Sequence, residues 1–181
     1  MKKKIIMGII LVAVITGSIL IFSNKEENCS DDALKFKEMY EEYNDKKEKL
    51  DIKKDNPMVA INKADIVKKI DEEDGVIFFG TPKENKSRLL VKTLLEVSQD
   101  YSCEVIYYYD LSNLSKDSDI YKELQTKLGD YQLKNDMVVF YKKGEVVGYS
   151  EYNKDTKLMK KEIDKGFTSV SGGMCEIAKQ C

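Results

Sequence analysis

The chain has 181 residues, a mass of 20.8 kDa and a formal net charge of −2, and it contains neither histidine nor tryptophan. Without histidine there is no Ser-His-Asp or Cys-His nucleophile pair, no histidine-ligated metal and no imidazole acid-base chemistry near neutral pH. The first 22 residues stand apart, and the 159 that remain suffice for one ordinary hydrophobic core without dense disulfides or a structural metal.

Lys2, Lys3 and Lys4 precede an uncharged run from Ile5 to Phe22 in which 14 of 18 residues are apolar, and Lys25, Glu26 and Glu27 follow it. A helix of that length rises about 27 Å, just short of a hydrocarbon core of about 30 Å, and flanking lysines cover the difference by snorkelling. The alternative is a cleaved secretory signal, which needs a shorter apolar stretch and a small-x-small cleavage site. Leu20, Ile21 and Phe22 are too bulky for one. Lipidation of Cys29 would require a small or apolar box before it, where Glu26, Glu27 and Asn28 stand.

The expected organisation is a cytoplasmic N-terminus at 1–4, a transmembrane signal anchor at 5–22, a juxtamembrane helix and linker at 23–55, a folded domain at 56–168 and a tail at 169–181. The positive-inside rule places the domain outside the cytoplasm, on a single-pass protein of the cell membrane. Removing the three N-terminal lysines takes the net charge from −2 to −5, so no nucleic-acid partner is expected. Lys46, Lys47 and Lys49 alternate with Asp45 and Glu48 and read as a solvated face. Tyr107, Tyr108 and Tyr109 fall on alternate faces of a strand, which suits packing better than a base-stacking platform.

In chain order, Leu34, Phe36, Met39, Tyr40 and Tyr43 recur at helical spacing between Asp31 and Leu50, after Ser30 as a cap. Asp55-Asn56-Pro57 breaks the chain, Met58–Ile61 reads as a short strand, and Asn62–Ile70 as a brief helix ended by Asp74-Gly75. Val76–Phe79, bounded by Gly75 and Gly80, is an apolar run expected as a strand buried on both faces. A helix over 82–100 follows, then a strand over 103–109 and a helix over 115–128. Strands at 137–141 and 145–151 join through Lys142, Lys143 and Gly144 as antiparallel neighbours, and a helix over 156–165 closes the layer.

A parallel βαβ unit, a helix, a β-hairpin and a last helix make an α/β fold with a central mixed sheet flanked by helices, in the order of a thioredoxin-like fold behind an N-terminal transmembrane helix. The residues agree. FKEMYEEYN from Phe36, NPMV from Asn56, ADIVKKI from Ala64, VIFFGTP from Val76, EVIYYYD from Glu104, YKKGEVVG from Tyr141 and the terminal cysteine pair resemble, in order and spacing, extracytoplasmic thioredoxin-like proteins of the bacteriocin-transport-accessory type. The resemblance runs from about Phe36 to Cys181 and implies a thioredoxin-like domain with a role in a cell-envelope or export system.

Two departures bear on function. Redox-active relatives follow the strand ending in F-G with P-x-C-x-x-C-R; this chain reads Pro82-Lys83-Glu84-Asn85-Lys86-Ser87-Arg88, with Glu84 and Ser87 at the cysteine positions. Asp136 falls where such proteins carry a cis-proline facing the dithiol. A thiolate belongs at the start of this helix, where the positive end of the macrodipole lowers its pKa, and no cysteine is there. Thr81-Pro82-Lys83-Glu84 reads instead as a capping box, with Thr81 and Glu84 reciprocally bonded, Ser87 exposed and Arg88 paired with an acid.

Of the four cysteines, Cys175 and Cys181 are expected as a disulfide pinning the tail, and Cys103 as a small buried hydrophobe. The four lack the paired C-x-x-C spacing of a zinc site, so no metal or cofactor is expected. The functional expectation is a binding or accessory component with protein partners in the envelope and without catalytic residues. A thiol-disulfide oxidoreductase using Cys175 and Cys181 is the alternative; a small-molecule or metal carrier finds no cluster of ligands.

Overall fold

The computed structural model describes residues 31–46, 49–116, 118–131, 133 and 136–171. Val76–Phe79 offers no polar side chain to water on either face, and the strand that contains it, β2 (Gly75–Gly80), is buried along its whole length at the centre of a five-stranded sheet. Around it follow, in chain order, α1 (Asp31–Glu41), β1 (Met58–Ala60) and α2 (Ile66–Glu72) before β2, then α3 (Asn85–Ser98), β3 (Ile106–Asp110), α4 (Asp119–Leu128), β4 (Met137–Lys142), β5 (Glu145–Glu151) and α5 (Thr156–Val170).

The strands lie in the order β1-β3-β2-β4-β5. β3 runs parallel to both β1 and β2, whereas β4 is antiparallel to β2 and β5. The two-residue turn between β4 and β5 places Lys143 at φ 49° and Gly144 at φ 85°, the left-handed pair that matches the twist of a tight hairpin.

Strand alternation divides the core in two. Phe78 and Phe140 face α1, α3 and α5, where Phe36, Tyr40, Leu90 and Phe167 complete one cluster. Ile77, Phe79 and Val139 face α2 and α4, packing with Ile66, Ile70 and Leu124 in the other. Tyr108 belongs to the first cluster and Tyr109 to the second, as their alternation requires.

Several boundaries differ from the sequence expectation for local polar reasons. α1 stops at Glu41 rather than continuing to Leu50, because Asn44 folds the chain back: its amide donates to the Leu50 carbonyl at 2.8 Å and accepts from the Leu50 amide at 2.8 Å. The Glu41 carboxylate then accepts from the Ile52 amide at 2.7 Å, and Leu50 and Ile52 are buried against the sheet. β3 begins at Ile106 rather than Cys103, after Ser102 takes up φ 42° at the end of the α3 turn. α5, by contrast, reaches Val170, five residues beyond the expected end at Lys165, because Phe167 and Val170 are buried in the core; its N-cap Asp155 accepts from Lys157 and Leu158.

The geometry gives the domain two poles. α1 runs toward the C-terminal ends of β2 and β3, since Tyr40 at its end meets Ser87, while Ala33 near its start accepts from Asn56 just before β1. α5 runs the other way, with Thr168 near its end 3.1 Å from Tyr101 below α3. Asp31 and Ser171 therefore both lie at the pole opposite the start of α3. Among the described residues no helix is long and apolar enough to cross a membrane; the apolar run 5–22 lies outside them.

Candidate binding site at the start of α3

β2 delivers the chain to the site through Gly80. A side chain there is forbidden, because a Cβ would sit 2.4 Å from the Phe78 ring and 2.5 Å from the Tyr40 hydroxyl. The next four residues form a turn closed by the Glu84 amide on the Thr81 carbonyl at 3.0 Å, and α3 starts only at Asn85.

This corrects the expected capping box. Glu84 is itself the N-cap, extended at φ −84° and ψ 125°, and makes no side-chain cap bond. Pro82 stands inside the preceding turn, not at the first helical position. Thr81 is occupied elsewhere: its amide donates to Ser87 Oγ at 2.9 Å, and its hydroxyl binds Asp136.

Ser87 is likewise not the exposed first-turn residue expected. It is fully buried, accepts from Thr81 and shares a 3.2 Å hydrogen bond with the Tyr40 hydroxyl. Burial pushes the Tyr40 phenol well above its ordinary value, so it stays protonated as a neutral partner for Ser87. Arg88 next to it is 4% exposed, and its guanidinium donates to the Tyr40 carbonyl at 2.7 Å and to Asn44 Oδ1 at 2.6 Å rather than to a carboxylate. Two consecutive residues of α3 thus fasten the end of α1 to the site. Tyr40 and Asn44 were missed in the sequence because the bonds reach across more than 40 residues; the one signal was that Arg88 is the only arginine in the chain.

Glu84 and Asp136, by contrast, face outward around a cavity of about 460 Å³. Leu111, Leu114 and Leu133 supply apolar wall together with Tyr121 and Tyr152, and Lys86, Lys116 and Glu151 add charge to the lining. Asp136 is half-buried at the start of β4. Its carboxyl is held above the ordinary value by burial, opposed by the Thr81 hydrogen bonds and reinforced by the nearby charges of Glu84 and Asp110. The structure therefore brings Thr81, Glu84, Ser87 and Asp136 together, with Ser87 below the surface and the two carboxylates on it.

Among the described residues no cysteine lies at this site. Cys103 is half-buried and forms a disulfide, where a small buried hydrophobe was expected. Cys29, Cys175 and Cys181 lie outside the described residues, as does the expected Cys175–Cys181 bond. Among the described residues no group of three carboxylates or cysteines is placed to hold a metal ion.

The strand order and directions are those of a thioredoxin-like fold, and the start of the helix after its central strand carries an exposed Glu84 and a buried Ser87. No family model matches the chain, and no curated protein does. Solved structures that are similar at low identity include two thioredoxins. Thioredoxin O2 from Arabidopsis thaliana, in its oxidized state, is 18% identical, with 61% of this chain and 94% of that one covered at a TM-score of 0.43. Thioredoxin f2 from Chlamydomonas reinhardtii is 18% identical over 56% of this chain and 90% of its own, at 0.40. ERdj5 is 13% identical over 64% of this chain and 15% of its own, at 0.39.

Proposed function

We propose that this protein is a membrane-anchored, extracytoplasmic binding protein built on a thioredoxin-like fold without the dithiol, an accessory component of a cell-envelope or export system of the bacteriocin-transport-accessory type. The observation that carries the reading is the fate of the two redox positions. Disulfide exchange needs a thiolate nucleophile and a second thiol to resolve the mixed disulfide. Glu84 and Ser87 supply neither, and Ser87 serves as a buried anchor point for α1. What the site retains is a cavity with apolar walls and charges in its lining, which suits recognition of a polypeptide.

The two poles support the proposed orientation. With 5–22 in the membrane, eight residues separate the anchor from α1 and span at most about 28 Å. The α1 start faces the membrane in that arrangement, and the cavity points away from it, toward polypeptides outside the cell rather than lipid.

Photo-crosslinking of the full chain in its native membrane tests this. A crosslinker at Lys116, which lines the cavity, is expected to capture a discrete extracytoplasmic polypeptide, and one at Asp55, on the opposite pole, is not. The same product from both positions, or lipid adducts from Lys116, would overturn the reading.

A further inference from the structure

β5 ends the sheet, and among the described residues its backbone bonds to nothing but β4. Open edges are ordinarily blunted with lysine, proline or a covering element. β5 reads EVVGYSE and has neither residue. The bulge at Val147 disturbs its first half, whereas Gly148–Glu151 runs in unbroken register with β4. Val147 and Tyr149 stand 39% and 43% exposed beside this edge, and the Tyr131 ring rests 4.3 Å from that of Tyr149.

A second cavity, of about 380 Å³, lies between β5 and α5 and is lined by Gly148, Glu151, Glu162, Lys165 and Gly166 among others. Glu151 and Tyr152, at and just past the end of β5, line both this cavity and the one at the start of α3. Among the described residues Glu151, which lines both cavities, has no ion pair. Glu162, which lines the second cavity, accepts from Ser150 at 3.3 Å.

We infer that the two cavities and the open edge of β5 form one docking surface for an extended segment of a partner polypeptide, which adds to β5 as a sixth strand and sets a lysine or arginine against Glu151. The inference rests on the binding reading of the site and names the chemistry of the partner. Main-chain bonds to the edge supply affinity, and the Glu151 carboxylate supplies selectivity. A second copy of this chain fits less well: antiparallel self-pairing about Gly148 places Glu145 opposite the other copy's Glu151 at both ends, and like charges directly opposed are destabilising.

The test uses the full chain in mild detergent and a fluorescent, acetylated and amidated heptapeptide of sequence Thr-Val-Lys-Val-Lys-Val-Thr. Binding is expected to slow hydrogen exchange at the β5 amides. Replacing the peptide lysines by glutamate, or N-methylating its alternate amides, is expected to weaken binding about tenfold or more, as is Glu151→Lys in the protein. Val147→Lys, which leaves Glu151 in place, is expected to weaken it about fivefold. Absence of binding, indifference to Glu151→Lys, or tight binding of the N-methylated peptide would overturn the proposal. So would a dimer whose β5 amides are already protected before peptide is added. Crosslinking from Lys116 that persists when these results fail would leave the binding reading standing and remove only the edge.

Discussion

Removing the Ser87 hydroxyl probes the junction between α1 and α3 most sharply. In Ser87→Ala the Thr81 amide loses its 2.9 Å acceptor and the Tyr40 hydroxyl its 3.2 Å partner, both around a side chain with no solvent exposure. Leaving buried polar groups without partners costs about 1–3 kcal/mol, and with two groups affected we take about 2 kcal/mol. For a chain of this size that lowers Tm by roughly 4–8 °C. Glu84→Ala, which removes no cap bond, should cost less than about 0.5 kcal/mol. A double-mutant cycle with Tyr40→Phe, read by chemical denaturation, should show coupling of about 0.5–1 kcal/mol, because the two hydroxyls share one bond. A Ser87→Ala protein as stable as the parent, or a strictly additive cycle, would refute this account of the site.

Asp136 gives a pH-dependent prediction. Its folded-state pKa lies above the unfolded one, so the folded state binds more protons in that interval and stability falls as pH rises through it. Asp136→Asn should therefore raise Tm at pH 7, with the gain vanishing on acidification below the ordinary aspartate value, as calorimetry across pH would show. Gly166→Ala should destabilise by roughly 1–3 kcal/mol despite alanine's better helix propensity, since its Cβ would meet the Phe140 ring at 2.2 Å; thermal melts would detect this. Cys103 should resist alkylation in the unreduced chain and react fully after reduction and unfolding, as peptide mapping would reveal.

Much of the architecture was readable because hydrophobic periodicity and turn residues act locally. Gly75 and Gly80 bracket β2, Lys143-Gly144 sets the hairpin, and Leu124 and Leu128 mark the buried stripe of α4. The site was readable only as a set of positions. Thr81-Pro82-Lys83-Glu84 has the local pattern of a cap, yet the Thr81 hydroxyl turns to Asp136, 55 residues away, and its amide to Ser87. Arg88 looked like half of an ion pair, whereas its acceptors are a backbone carbonyl and the side chain of Asn44. The same Asn44 ended α1 early by bonding Leu50, a competition between side chain and helix that composition does not reveal. In each case a polar side chain chose a tertiary partner over the local one its spacing offered.

The central claim is that this thioredoxin-like site binds without exchanging disulfides, and turnover of the full chain with insulin and dithiothreitol tests it most directly. The account predicts a reduction rate no greater than that of dithiothreitol alone, unchanged by Cys175→Ser or Cys181→Ser. A catalysed rate abolished by either substitution would contradict it and assign the chemistry to the C-terminal cysteines.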